Sequence, residues 1–218
     1  MNSYDLFEEL ESNADKEKAI KMSKYMRNQF SFLGVQATTR KKISTVYFKE
    51  AKKKKLIDWQ FINECWDKPY REAQYIATDY LNKMKDFLVL EDVARIRVLI
   101  ENKSWWDTVD GLHRVIGSIV FNFPELNKMM IEWSLDESIW LRRVAINHQM
   151  YRKDRMNVEL LEAIIVNNLR QNEFFINKAI GWVLRDYSKV NPEWVEQFIK
   201  THKNNLSQLS ISEGSKYI

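Results

Sequence analysis

In the segment Ser104-Trp105-Trp106-Asp107-Thr108-Val109-Asp110-Gly111, Trp106 and Asp110 stand one helical turn apart. On a helix, residues at i and i+4 stack on one face, so an indole and a carboxylate would share one patch of surface. A carboxylate stabilises developing positive charge, and the face of an aromatic ring attracts cations. The pair therefore suits a cationic ligand or a cationic transition state. The spacing alone leaves a second reading open. A Trp near a helix start commonly packs in a core, and an Asp there complements the helix dipole.

Two later segments carry residues of the same kind. In Trp140-Leu141-Arg142-Arg143-Val144-Ala145-Ile146-Asn147-His148, the buried stripe expected from a 3.6 period is Leu141, Val144, Ala145 and His148. Arg143 then falls on another face with Trp140 and Asn147, free to reach a groove. In Phe174-Phe175-Ile176-Asn177-Lys178-Ala179-Ile180-Gly181-Trp182-Val183-Leu184-Arg185, the residues Lys178, Trp182 and Arg185 share a face. Gly181 inside that helix costs about 1 kcal/mol relative to Ala, which points to a close approach by a neighbouring helix or a ligand. Two indoles, a carboxylate and several cations in one groove match a nucleic-acid backbone. The cations would meet phosphates and the indoles a sugar or base. Packing between helices remains an alternative use of both Trp side chains.

These segments recur at a fixed interval. Tyr70, Trp105, Trp140 and Phe174 are separated by 35, 35 and 34 residues. Each opens a stretch that reads as a helix: 70–84, 105–121, 140–152 and 174–189. Amphipathic stretches at 59–66, 93–101, 125–133, 158–169 and 193–200 alternate with them. Upstream, 16–28 and 38–54 read as another pair, with Thr38 or Thr39 as the expected N-cap. Helix pairs repeating every thirty-odd residues are the mark of an α-solenoid. The tetratricopeptide offsets do not recur, so HEAT-like repeats fit better. The expected fold is all-α: a curved solenoid in one domain spanning 1–218, with the second helix of each pair on the concave side.

Composition agrees. Five Gly and three Pro argue for long helices and against a turn-rich β fold. No apolar run reaches the roughly 18–20 residues of a membrane span. The start of the chain has neither a basic nor an apolar signal region. One cysteine, Cys65, excludes an internal disulfide and a Cys-based zinc site, and a cytoplasmic protein is expected, nucleoid-associated when bound to DNA. Net charge is +4, but residues 15–55 hold 13 Lys/Arg against 3 Asp/Glu, which points to a polyanionic partner. His113, His148 and His202 show no metal-ligand spacing, and no nucleotide-binding or nucleophile-elbow motif occurs. No cofactor is expected.

The blocks Tyr25-Met26-Arg27-Asn28-Gln29-Phe30, Phe32-Leu33-Gly34-Val35-Gln36, Lys103 to Asp110, Ile139 to Arg143 and Phe174 to Arg185 follow one another in the chain. In that order they resemble the AlkD family of DNA alkylation repair glycosylases, HEAT-like-repeat enzymes that remove alkylated purines. The resemblance covers nearly the whole chain. It implies that Asp110 is the catalytic carboxylate, Arg143 the essential arginine, and Trp106 and Trp182 the indoles bordering the cleft. Arg142 falls at a position that the family does not hold to Arg. The chain ends soon after Ser207-Gln208-Leu209-Ser210, where family members can extend further.

The implied activity is hydrolysis of the N-glycosidic bond of N3-methyladenine or N7-methylguanine in duplex DNA, by a monofunctional enzyme and without deep base flipping. The expected partner is double-stranded DNA carrying alkylated purines, contacted through Arg27, Lys41, Lys178 and Arg185. A monomer with no obligate protein partner is expected. The competing expectations are a catalytically inactive HEAT-like DNA-binding protein and a protein-interaction scaffold.

Overall fold

The computed structural model describes residues 3–218. Met1 and Asn2, the start of the segment read above for a signal region, lie outside the described residues. The fold is all-α: thirteen α-helices and short 3-10 turns, with no strand among the described residues and one isolated bridge between Ser31 and Tyr70. Among those residues no helix is long and apolar enough to cross a membrane. The chain forms two compact units, Met1–Leu88 and Val89–Ile218.

The first unit holds α1 (Ser3–Ser12), α2 (Lys16–Tyr25), α3 (Ala37–Lys54), α4 (Trp59–Asp67) and α5 (Arg71–Met84). The sequence reading gave no helix at α1, yet Leu6, Phe7 and Leu10 form a buried stripe there. Helix α2 stops at Tyr25, short of the expected Asn28, because Arg27 and Asn28 take left-handed backbone (φ 55° and 56°). The N-cap of α3 is Gln36, with no side-chain capping bond, so neither Thr38 nor Thr39 caps it. The segment before α3 is fixed by Gly34 (φ 89°), where any Cβ would lie 2.0 Å from the Asp15 carbonyl oxygen. Buried Glu72 accepts the backbone N–H groups of Leu33, Gly34 and Val35 at 3.1, 2.8 and 3.1 Å, which satisfies its charge away from water.

The second unit holds α6 (Asp92–Glu101), α7 (Trp106–Asn122), α8 (Asn127–Ser134), α9 (Ile139–Asn147), α10 (Val158–Val166), α11 (Phe174–Tyr187), α12 (Pro192–His202) and α13 (Gln208–Gly214). Asn157, Asn191 and Ser207 cap the starts of α10, α12 and α13 with their side chains. Helix α9 is shorter than the stretch 140–152 read from the sequence; it ends at Asn147, and Tyr151 (φ 69°) turns the chain away.

Helices α7, α9 and α11 pack in succession, α7 on α9 and α9 on α11. Val109, Leu112, Val115, Ile116 and Ile119 bury one face of α7. Each such side chain contributes about 1.5–3 kcal/mol on burial. Gly117 lets the α7 backbone meet the turn after α9, since a Cβ there would lie 2.0 Å from the His148 carbonyl oxygen. Arg152 closes the same junction by donating to the Gly117 carbonyl at 2.7 Å.

The repeat appears as a ring cluster. Trp105, Trp140 and Phe175 bring their ring centroids within 5.0–5.8 Å of one another. Phe174, chosen from the sequence as the fourth member of the series, is 54% exposed instead. Phe175 holds the packing position, so the interval from Trp140 is 35 residues, as in the preceding repeats. Tyr70 in the first unit occupies the same place relative to its helix as Trp105 does: each is the N-cap residue.

Candidate active site

Asp110 lies on the second turn of α7 and Arg143 on the second turn of α9. The packing of these helices sets the two side chains opposite each other. Arg143 donates from Nε to Asp110 Oδ1 and from Nη2 to Oδ2, both at 2.8 Å, a two-pronged pair. Its Nη1 donates to the Phe175 carbonyl oxygen at 2.6 Å, at the start of α11. One guanidinium thus ties three successive helices together. The register residue Phe175 supplies ring packing with its side chain and a hydrogen-bond acceptor with its backbone.

The sequence pattern placed Arg143 on an open face. In the structure its side chain is 4% exposed, while Asp110 keeps 14% exposure. The reason is the carboxylate itself: a guanidinium at that depth needs a partner, and Asp110 is within reach. The arginine is therefore a clamp, and the carboxylate is the less buried group of the pair. Burial raises the Asp110 carboxyl above its ordinary value of 3.8, against the opposing pull of Arg143.

Trp182 on α11 stands beside the pair, with its ring centroid 5.9 Å from the Arg143 guanidinium carbon. Trp106 opens α7 one turn before Asp110 and is half-buried. Both indoles keep some surface, whereas Trp133 is buried and serves packing. Arg142 turns the other way and donates to Asn168 at 2.8 Å, bracing α9 against the end of α10.

The four expected DNA contacts divide into two kinds. Arg27, in the turn after α2, and Lys41 on α3 are exposed in the first unit. Lys178 and Arg185 flank Trp182 on α11 and are both drawn to Glu213, each at 2.9 Å. Glu213 lies on α13, a helix the sequence reading left unassigned. Gly181 explains the approach: an added Cβ there would lie 2.6 Å from the Glu213 Cβ and 3.1 Å from the Ser210 carbonyl oxygen. Helix packing accounts for that glycine.

Sequence reasoning also missed the polar character of the layer behind the pair. His113 and Asn147, one turn beyond Asp110 and Arg143, are buried and have no side-chain hydrogen bond among the described residues. His148 is buried on the expected stripe and shares its Nδ1 with the Ala145 carbonyl oxygen at 2.6 Å. Burial pushes both imidazoles down to about 3, so both rings are neutral at physiological pH.

Comparison with known proteins fits this architecture. A search of the curated proteins finds no match. Among solved structures, a predicted DNA alkylation repair enzyme from Enterococcus faecalis superposes with a TM-score of 0.85 at 38% sequence identity, over 94% of this chain and 96% of that one. The sequence pattern of the family described as DNA alkylation repair enzyme matches residues 6–218. With helix pairs, ring register and a family match that spans nearly the whole chain, this protein belongs to the DNA alkylation repair enzyme family, whose substrate is DNA.

Proposed function

We propose that this protein is a monofunctional DNA glycosylase that hydrolyses the N-glycosidic bond of cationic alkylated purines in duplex DNA. The observation that carries this reading is the Asp110 carboxylate, gripped through both oxygens by Arg143, still 14% exposed, with Trp182 beside the pair. Alkylation at N3 of adenine or N7 of guanine makes the base cationic and hence a good leaving group. When the bond from C1′ to the base nitrogen breaks, its electron pair leaves with the base, which departs neutral. The sugar then carries the positive charge. A fixed carboxylate next to that carbon stabilises the oxocarbenium-like state without any reorganisation during the reaction. Asp110 also accepts a proton from the water that adds to C1′.

Arg143 holds the carboxylate in one geometry by gripping both of its oxygens. Trp106 and Trp182 supply aromatic surface that attracts a cationic nucleotide. Asp110 keeps 14% exposure beside the half-buried Trp106 and Trp182, which supports a lesion approached from its backbone without deep flipping into a pocket. Lys178, Arg185, Arg27 and Lys41 serve phosphates, and one monomer suffices.

The test is release of free base. Duplex DNA carrying N7-methylguanine or N3-methyladenine is incubated with the protein, and the products are separated by chromatography. Free methylated base with an intact abasic strand supports the reading. Tight duplex binding with no base released would make the protein a DNA-binding member without glycosylase activity.

A further inference from the structure

The charges around Glu213 are arranged in a way that the excision chemistry does not require. Its Oε1 lies 2.9 Å from the ammonium of Lys178 and 2.9 Å from that of Lys216, and its Oε2 accepts from Arg185 at 2.9 Å. Three cations from two elements therefore converge on one carboxylate, and the cluster keeps a surplus of two positive charges. The cations retain surface: side-chain exposure is 36% for Lys178, 24% for Arg185 and 46% for Lys216, against 12% for Glu213. Hydrogen bonds from Lys216 and Lys178 push the Glu213 carboxyl down to about 2, so it is ionised at every pH of interest.

Position gives the cluster its meaning. Lys178 and Arg185 lie on either side of Trp182 along α11, and Trp182 borders the Asp110–Arg143 pair. Helix α13 meets α11 through contacts besides those of the Glu213 carboxylate. Gly181 accommodates it, Ser210 donates to the Asn177 carbonyl at 2.8 Å, and Gly214 lies against Leu184. A carboxylate at the focus of three cations is a built-in competitor for the ligand those cations would take.

We propose that Lys178, Arg185 and Lys216 form a binding site for one DNA phosphodiester beside the Trp182 wall, and that Glu213 occupies this site in the free protein as an internal stand-in for the phosphate. An incoming phosphate takes over donors that the carboxylate has gathered in advance. It meets three cations and one anion, so the attraction is weaker than three cations alone would give. The device moderates affinity for undamaged duplex, where a glycosylase searching for rare lesions must let go. The proposal rests on the DNA reading above.

The test uses the full chain and an undamaged duplex, with affinity measured by fluorescence anisotropy over a range of salt concentrations and folding checked by thermal unfolding. Glu213→Gln keeps the shape and removes the charge. It should tighten binding several-fold at low salt, by a margin that shrinks as salt rises. Lys216→Ala, at the most exposed cation, should do the reverse: weaker binding and a slope shallower by about 0.9. A folded Glu213→Gln protein that binds no tighter than wild type overturns the stand-in role, and an unchanged salt slope for Lys216→Ala overturns the phosphate site even if the Gln variant does not fold. If the wild type shows no salt-dependent duplex binding at all, the DNA reading itself fails, a result distinct from either.

Discussion

Arg143 grips both oxygens of Asp110 at 2.8 Å from the neighbouring helix, and of the two side chains the carboxylate is the less buried, 14% exposed against 4%. The arginine's charge is thus spent within the protein, on the carboxylate and on the Phe175 carbonyl. Its removal should be felt first in stability. Breaking one side of a buried ion pair typically costs about 3–5 kcal/mol, because the remaining charge loses its partner. Arg143→Ala should lower the melting temperature markedly and abolish excision. Arg143→Lys should rescue little, since an ammonium cannot reproduce the two-pronged grip. Thermal unfolding of both variants beside base-release assays checks this; a Lys variant with full activity would show that charge alone suffices.

The acid limb of the activity profile should report Asp110. Only the ionised carboxylate stabilises a cationic sugar, and burial raises its carboxyl above 3.8. As pH falls, the proton goes on earlier than for an ordinary aspartate, so the single-turnover rate should decline with a midpoint above that value. Spontaneous acid depurination is subtracted using DNA without protein. A midpoint at or below 3.8 would mean that the Arg143 pull outweighs burial.

The buried histidines predict a separate pH effect on stability. His113 and His148 have folded values of about 3, against about 6.5 in an unfolded chain. Between those values the unfolded state binds protons that the folded state refuses. Stability is therefore full above about pH 6.5 and falls as pH drops towards 3, by about 1.4 kcal/mol per pH unit for each histidine. His113→Leu combined with His148→Phe should flatten the dependence of melting temperature on pH between 4 and 7. Equal slopes for wild type and double variant would place the acid sensitivity elsewhere.

Two glycines should differ in cost. At Gly117 an added Cβ meets the His148 backbone carbonyl at 2.0 Å, and backbone cannot yield without moving α7 from α9. At Gly181 the nearest atom is the Glu213 Cβ at 2.6 Å, on a shorter helix near the chain end. Overpacking typically costs about 1–3 kcal/mol. Gly117→Ala should exceed Gly181→Ala in lost stability and in lost excision, because it separates the helices that carry Asp110 and Arg143. Chemical denaturation of both variants with linear extrapolation decides the order.

Much of this was legible in the chain. Tyr70, Trp105 and Trp140 mark helix starts because large rings fill the space between repeats at a constant interval. The register slipped by one at Phe174 because two adjacent phenylalanines fit the interval almost equally well and only packing chooses Phe175. Trp182 and Asp110 emerged from helical spacing together with the family resemblance. The pairing of Arg143 with Asp110 could not be read from periodicity. Facing residues of different repeats are 33 positions apart, and the angle between their helices decides whether they meet. Glu213 and α13 escaped for a similar reason. The segment 208–214 is short and lacks a ring at the repeat interval, and its role follows from what Gly181 leaves room for.

The most direct test of the central claim is the rate at which Asp110→Asn releases N7-methylguanine from duplex DNA under single-turnover conditions. The substitution keeps the side chain's size and removes the charge that would face the sugar; because it also leaves Arg143 without a carboxylate partner, folding is checked by thermal unfolding. Losing one well-placed electrostatic partner costs on the order of 10²–10³ in rate. Duplex binding should be retained or slightly tighter, since a carboxylate near phosphates repels them. A fall of that size with intact binding is the predicted result; release at the wild-type rate by a folded, DNA-bound Asp110→Asn protein would contradict the account.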